Sequence, residues 1–501
     1  MDQAIAEAAE NEKASYPRPQ VVVAVLAFGG IVVSLMQTLV IPLVPMLPEL
    51  LGATPGDTAW AITATLLAAA IATPTVGRLG DMYGKRRMLL ISLAVLAAGS
   101  VLCGLATNLP IMVVGRVLQG LAAGVIPLGI SIMRDVLPAE RLAGATALMS
   151  ASLGVGGALG LPAAAFVVQK ADWHVMFWIA AALAVVVAVL VRALIPDSGV
   201  RTGGRFDLLG SFGLSIVLLL SLLAVSKGSD WGWGSGIPGV MLVVAAVVLA
   251  IWVWWELRTP RPLVDLRVSV RRQVLLTNAA SVVFGFSMFA MSLVIPQVIQ
   301  LPELTGYGFG RTILIAGLVM APNGLVMMAM SPVSARISRA RGPKTTLMAG
   351  ALLVALGYGL SMVFMSGIWE LMIASTVIGA GVGLAYGAMP ALVMAAVPRS
   401  ETAAANSLNT LMRSIGTSVA SAVAGVVIAT VTMSAAGEVF PDRDAFTLIL
   451  GLGALAALTA FVIAAFLPGR GKTAEPVESV RWSRTRHGEP EEVAGLAQDK
   501  A

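Results

Sequence analysis

Gly77-Arg78-Leu79-Gly80-Asp81-Met82-Tyr83-Gly84-Lys85-Arg86-Arg87 is a short polar, basic turn set between two long apolar runs. A decayed copy stands at Ala335-Arg336-Ile337-Ser338-Arg339-Ala340-Arg341-Gly342-Pro343-Lys344. Gly84 matches Gly342 at an offset of 258, and Gly120 and Gly124 match Gly379 and Gly383 at 259. The chain therefore repeats itself, and each copy of the turn sits at the same place in its half.

The flanking runs explain why the turn is polar. Hydrophobic residues make up 57% of the chain and charged residues 12%, against roughly 25% charged in an average soluble domain, which is more apolar surface than a soluble core can hide. Fourteen apolar runs are each long enough to cross a hydrocarbon layer of roughly 30 Å as a helix. They lie near 21–48, 59–77, 88–107, 110–133, 142–168, 174–195, 207–226, 238–256, 274–300, 311–334, 346–366, 370–397, 403–432 and 445–468. The expected fold is an all-α polytopic membrane protein. A six-helix bundle over 21–195 and a second over 274–468 are joined by 196–273, which carries two inserted helices. A tail precedes residue 21, and a Glu-, Arg-, Pro- and Gly-rich tail over 469–501 is expected to be disordered.

The N-terminus carries Asp2, Glu7, Glu10, Glu12 and Lys13 and lacks the basic start of a signal peptide, so the first run reads as an uncleaved span. Cys103 is the only cysteine, which excludes disulfides within the chain. The pI near 9.7 does not point to nucleic acid, because the basic residues fall in short connections between spans. Of 33 Lys and Arg residues, Lys170, Lys227, Arg311 and Arg443 fall in one set of connections and Arg116 and Arg413 within spans. The remaining 27 lie on the other side with both tails, which by the positive-inside rule is cytoplasmic. A cell-membrane protein with both termini inside is expected.

Duplicated bundles around a central path suit alternating access, in which two rigid halves rock about one site. Gly77 to Arg87 resembles the loop motif of the major facilitator superfamily, Gly-x-Leu-x-Asp-x-x-Gly-basic-basic, between its second and third spans. The six-plus-two-plus-six plan is similar to that family's drug/proton antiporter branch. The resemblance implies export of hydrophobic, drug- or antibiotic-like small molecules, driven by the proton motive force with no bound cofactor. The alternative is a proton-coupled or facilitative importer of a small organic metabolite, anions included.

The turn itself reads as a gating latch. Gly77, Gly80 and Gly84 permit close helix approach or positive φ, Asp81 suits the positive end of a helix in the other half, and Arg78, Lys85 and Arg86 suit carboxylates or lipid phosphate. Asp135, beside Arg134 at the end of the fourth span, is the natural partner for the basic residues. The second copy has Arg339 where Asp81 would stand, so the halves are not equivalent. Arg116 lies well inside a span, in Arg116-Val117-Leu118-Gln119-Gly120, which resembles the family's fourth-span motif and implies a proton-coupling role for Arg116 with Gln119. A structural arginine holding backbone carbonyls is the other reading. Arg413 lies nearer the cytoplasmic face, within reach of snorkelling. Gly154-Val155-Gly156-Gly157-Ala158-Leu159-Gly160-Leu161-Pro162 resembles the antiporter motif, implying that Gly156, Gly160 and Pro162 serve where the halves slide, although Leu161 separates a Gly-Pro pair that the family keeps adjacent. Asp172-Trp173-His174 reads as an outer aromatic belt with His174 at the surface.

One departure bears on the substrate. The branch usually shows Leu-Asp-x-Thr-Ile-Val in the first span, and this chain has Leu35-Met36-Gln37-Thr38-Leu39-Val40. Asp57, Asp81, Asp135, Glu256 and Glu370 all fall at span ends, leaving no carboxylate near a membrane midplane. The expected substrate is hydrophobic and neutral or weakly acidic, held by Met36, Gln37, Gln297, Asn323 and some of the 24 methionines. Proton coupling then falls to Arg116, Gln119, Asp81, Asp135 or Asp57. No loop holds a carboxylate cluster, His pair or P-loop, so neither an enzyme nor a metal site is expected. The expected partners are a hydrophobic small molecule, protons and membrane lipids, with no nucleic acid and the chain acting as a monomer.

Overall fold

The computed structural model describes residues 19–43, 46–435 and 437–468; the expected disordered tail after 468 and nearly all of the N-terminal tail lie outside the described residues. Among these, fourteen helical segments are long and apolar enough to cross a membrane. They are α1 (Pro19–Leu43), α2 (Trp60–Tyr83), α3 (Lys85–Gly104), α4 (Leu109–Val136), α5 (Ala139–Val168), α6 (His174–Leu194), α7 (Leu208–Gly228), α8 (Ile237–Arg258), α9 (Arg272–Gln300), α10 (Ile313–Arg341), α11 (Pro343–Val363), α12 (Ile368–Ala395), α13 (Arg399–Thr430) and α14 (Arg443–Ala465). Helices suit such a chain because their backbone hydrogen bonds are satisfied within the segment. α4 is two α-helices joined by a 3-10 turn at Ala122–Gly124, and α10 changes helix at Met330. A feature absent from the sequence reading is an antiparallel hairpin between α13 and α14, β1 (Thr432–Ala435) with β2 (Glu438–Pro441), in which Thr432 pairs with Pro441 and Ala435 with Glu438.

The opening motif is mostly not a turn. α2 stays helical through Tyr83 and α3 begins at Lys85, so Gly84 alone, at φ +107°, reverses the chain. Gly342, at φ +89°, does the same between α10 and α11. Only glycine adopts such a φ without strain.

Packing repeats at a spacing of eight spans. α1 packs on α5 and α6, α2 on α4, and α3 on α4 and α6; correspondingly α9 packs on α13 and α14, α10 on α12, and α11 on α12 and α14. One hydrophobic core is drawn almost wholly from the first set and a second from the other. The sets meet along two related seams, α5 on α10 and α2 on α13. The seams differ. α5 and α10 pack backbone to backbone: a Cβ on Gly324 would lie 2.8 Å from the Gly154 carbonyl carbon, and one on Gly317 3.1 Å from the Pro162 nitrogen. Along the other seam α7 is inserted. It packs on both α2 and α13, and a small third core joins its Leu214 and Leu218 to Ala70, Leu411 and Trp252 of α8.

Candidate functional site

Asp81, in the last turn of α2, is fully buried. Its carboxylate accepts hydrogen bonds from the amides of Ala403 (3.2 Å) and Ala404 (2.8 Å). These open the α-helix Thr402–Thr430 within α13, so an anion of one bundle caps a helix of the other. Lys85, equally buried, lies 3.8 Å from Asp81 and 2.6 Å from Asp135, and donates to the Arg399 carbonyl at 3.3 Å. Ser198 also donates to Asp135, at 2.9 Å. Gly77 lets α2 and α13 touch: a Cβ there would meet Ser407 and lie 2.8 Å from the Ala403 carbonyl oxygen. Gly80 faces Leu128. Arg86 donates to the Arg192 carbonyl at the end of α6, and its counterpart Lys344 to those of Ala465 and Leu467 at the end of α14. Arg339, standing where Asp81 would, donates to the Glu140 carbonyl at 3.2 Å. Arg78 lines a separate cavity of about 210 Å³ with Thr202, Arg261 and Glu401.

Sequence reasoning passes over Arg134. Its guanidinium donates to the carbonyls of Met394 (2.7 Å), Val397 (2.9 Å) and Pro398 (3.3 Å) and to the Thr402 hydroxyl (2.6 Å). It thereby satisfies carbonyls left free where α12 ends. The available signal was its place next to Asp135 at the end of an apolar run. Among the described residues, every side-chain hydrogen bond between the two bundles lies at this basic end. The molecule is therefore closed there.

Arg116 does not reach the space between the bundles. It is 1% exposed and donates to the carbonyls of Ala61 (2.9 Å) and Met36 (3.1 Å) and to Gln119 Oε1 (2.6 Å), while Gln119 donates to Ser100 Oγ at 2.9 Å. This is the arrangement of an arginine that holds α1 and α2 to α4. Met36 is 2% exposed within the first core, so it is no substrate contact in this state.

A cavity of about 420 Å³ does lie between the bundles, with residues of α1, α2, α4, α5, α7, α9, α10, α12 and α13 in its wall. Gln37 and Asn323 line it; Gln297 does not, its neighbour Pro296 taking that place. The Asn323 amide is also tied to the Ser375 carbonyl at 2.5 Å. Among the described residues Arg413 is the one charged residue in the wall, 8% exposed, with its guanidinium 4.6 Å from the centre of the Tyr386 ring and 3.3 Å from the Thr410 hydroxyl. Arg413 thus faces the space between the bundles, which its depth along the span did not disclose. No Asp or Glu among the described residues lines the cavity. Met288, Met291 and Met320 do, whereas Met327, Met328 and Met330 do not.

The fifth-span glycines divide differently from the expectation. Gly156 and Gly160 face α1, a Cβ on Gly156 falling 2.7 Å from the Leu35 nitrogen, while Gly154 and Pro162 face α10 across the seam. Asp57 is exposed in a short helix and accepts from Thr54 Oγ1 at 2.7 Å. His174 is part-exposed and bonds Asp172, whose carboxyl is held below the usual range by hydrogen bonds from the His174 amide and ring.

Comparisons with known proteins agree with this architecture. The family model described as Major Facilitator Superfamily matches residues 26–205, 200–421 and 301–489. An uncharacterized MFS-type transporter of Mycobacterium tuberculosis is 27% identical over 414 residues, covering 81% of this chain and 59% of that protein; the chain thus spans about three-fifths of that relative's length. The multidrug resistance protein Stp of the same species is 26% identical over 74% of this chain and 68% of its own. A probable actinorhodin transporter of Streptomyces coelicolor is 28% identical over 73% and 65%. Among solved structures, the human organic anion transporter MFSD10 superposes with a TM-score of 0.61 at 17% identity, covering 89% of this chain and all of that one.

Proposed function

Because the chain belongs to the major facilitator superfamily, and is a transporter rather than an enzyme, we propose that it exports hydrophobic small molecules from the cell by alternating access coupled to proton influx. The carrying observation is the central cavity, apolar apart from amides, hydroxyls and one cation, Arg413. A buried guanidinium with no carboxylate beside it favours an anion or a polarisable neutral ring and repels a cation. The substrate class is therefore lipophilic and neutral or weakly acidic, and the names of relatives such as Stp and the actinorhodin transporter support an export role.

On this reading the basic end faces the cytoplasm and the structure is an outward-facing state, latched by Asp81, Lys85, Asp135 and Arg134. Export needs the latch to release. An ionised Asp81 is what the start of α13 holds, and the neutral acid holds it less well. Proton arrival at Asp81 favours opening toward the cytoplasm, which makes the latch the coupling element in place of a mid-membrane acid. The test is uptake into inside-out vesicles under an imposed pH gradient. A lipophilic anion, 1-anilinonaphthalene-8-sulfonate, should accumulate and a quaternary ammonium dye should not. Accumulation of the dye alone would overturn the substrate class. Uptake in the reverse direction would favour an importer of organic anions.

A further inference from the structure

The inserted helices need not touch the transport path at all, and α8 does not: it packs mainly on α7, and Val243, Val247, Ile251 and Trp254 are each more than half exposed or close to it. α7 is different. Its Leu222, Leu223 and Ser226 are in the wall of the central cavity, opposite residues of both bundles.

The two seams show why. α5 and α10 meet directly beside the cavity through Gly154, Gly317 and Gly324. By the pseudo-symmetry of the packing, α2 and α13 would meet in the same way, and near Gly77 they do. At cavity level small residues of both helices, Ala69, Ala70 and Thr73 on α2 and Thr417, Ser418 and Ser421 on α13, line the cavity beside the larger Leu66, Leu67 and Arg413. α7 fills the gap. It is fixed by Thr75 Oγ1 to Ser211 Oγ at 3.0 Å, by the third core, and by Lys227 stacked 5.7 Å from the centre of the Trp60 ring. Trp252 of α8 donates to the Gly210 carbonyl at 2.7 Å and holds the pair together.

We propose that α7 is a substrate-contacting wall of the transport site, and that Leu222, Leu223 and Ser226 help set which lipophilic molecules the cavity accepts. The inference rests on the central cavity being the transport site. A wall of branched aliphatic side chains discriminates by shape, with one methylene worth about 10- to 200-fold at most. Arg413, on the neighbouring α13, supplies the charge preference. With small residues lining much of α2 and α13, Leu222 and Leu223 of α7 share the girth of the site with Leu66 and Leu67 of α2.

The wall is tested without knowing the substrate. In full-length chain carrying Cys103→Ser, the variants Leu223→Cys, Ser226→Cys and Val247→Cys are each treated with the anionic 2-sulfonatoethyl methanethiosulfonate and its cationic trimethylammonium counterpart. Cysteines at 223 and 226 should be modified, faster by the anionic reagent, while the one at 247 on α8 stays inert. Cysteines on α7 as inert as that at 247 would overturn the proposal. In vesicles, Leu222→Ala and Leu222→Phe should shift in opposite directions the relative uptake of two sulfonates of different girth, 1-anilinonaphthalene-8-sulfonate and dodecyl sulfonate, by at least threefold. An unchanged ratio with active transport would also overturn it. Modification of 223 and 226 at equal rates by both reagents, with Leu222 variants still shifting selectivity, would instead count against the anionic substrate class and leave the wall standing.

Discussion

Replacing Asp81 by Asn should weaken closure of the basic end by an amount that can be worked out from its contacts. The carboxylate accepts two amide hydrogen bonds at 2.8 and 3.2 Å at the start of α13, and Lys85 stands 3.8 Å away. Hydrogen bonds to a charged group contribute about 1.5–3 kcal/mol each, and burial removes the solvent screening that weakens such contacts at a surface. Asparagine keeps one acceptor, turns a donor toward the second amide and loses the charge. A net loss of about 2 kcal/mol follows, a factor of about 30 in the ratio of closed to open. Arg134 keeps its four bonds to α12 and Thr402, so the closed state is depleted rather than abolished. Spin labels at Tyr83→Cys and Arg341→Cys, exposed residues on opposite bundles, would report this as a second, longer distance population. Affinity for 1-anilinonaphthalene-8-sulfonate should change by less than about threefold, while pH-driven turnover falls at least tenfold, because the cavity lies apart from the latch and open states gain nothing from a proton at position 81. A distance distribution identical to that of the unaltered chain would refute the latch.

Gly77→Val should reproduce the open population with Asp81 intact, since its side chain would press on Ser407 and the Ala403 carbonyl; the same distance measurement checks this. Arg413→Ala should raise the KM for a lipophilic anion about tenfold, consistent with losing a charge contact and a cation–π pair of about 0.5–2 kcal/mol, and should leave a neutral substrate nearly unaffected in vesicle uptake. Arg116→Met should lower thermal stability by about 3 kcal/mol or more, because the carbonyls of Met36 and Ala61 and the Gln119 amide lose their partner. Protein that survives should retain its pH dependence; a normal melting temperature with pH dependence lost would restore the coupling role.

The latch contacts were legible in part: Asp81 precedes Lys85 by four residues and Asp135 ends the fourth apolar run, whereas nothing in the sequence says that Arg134 turns to the end of α12. The cavity was not, and the reason is angular. Consecutive helix residues point about 100° apart, so Met36 and Gln37 take different directions, and nothing in an apolar span says which of them meets the cavity. The same ambiguity separates Gln297 from Pro296 and Gly156 from Gly154. Arg116 and Arg413 show the limit most clearly. Both are intramembrane arginines in small-residue helices; Arg116, seven residues from the start of α4, is enclosed by its own bundle, and Arg413, eleven residues into the helix Thr402–Thr430, faces the cavity. A hydropathy profile measures distance along the chain, whereas this distinction is radial. The hairpin after α13 was missed because Thr432–Pro441 is too short and too mixed to interrupt a pattern set by helices.

The unequal seams have a mechanical consequence. On the proposed cycle, halves joined backbone to backbone along α5–α10, and sharing the α2–α13 seam with α7 at cavity level, would open like a bound book rather than a pair of jaws. The α5–α10 edge is the spine. The free edge is where the arc of travel is greatest, and there α7 and α8 stand with α8 turned almost wholly to lipid. On the proposed alternating-access cycle this two-helix plank would move against lipid, so that the stiffness and thickness of the surrounding membrane, and not the protein alone, would enter the turnover rate.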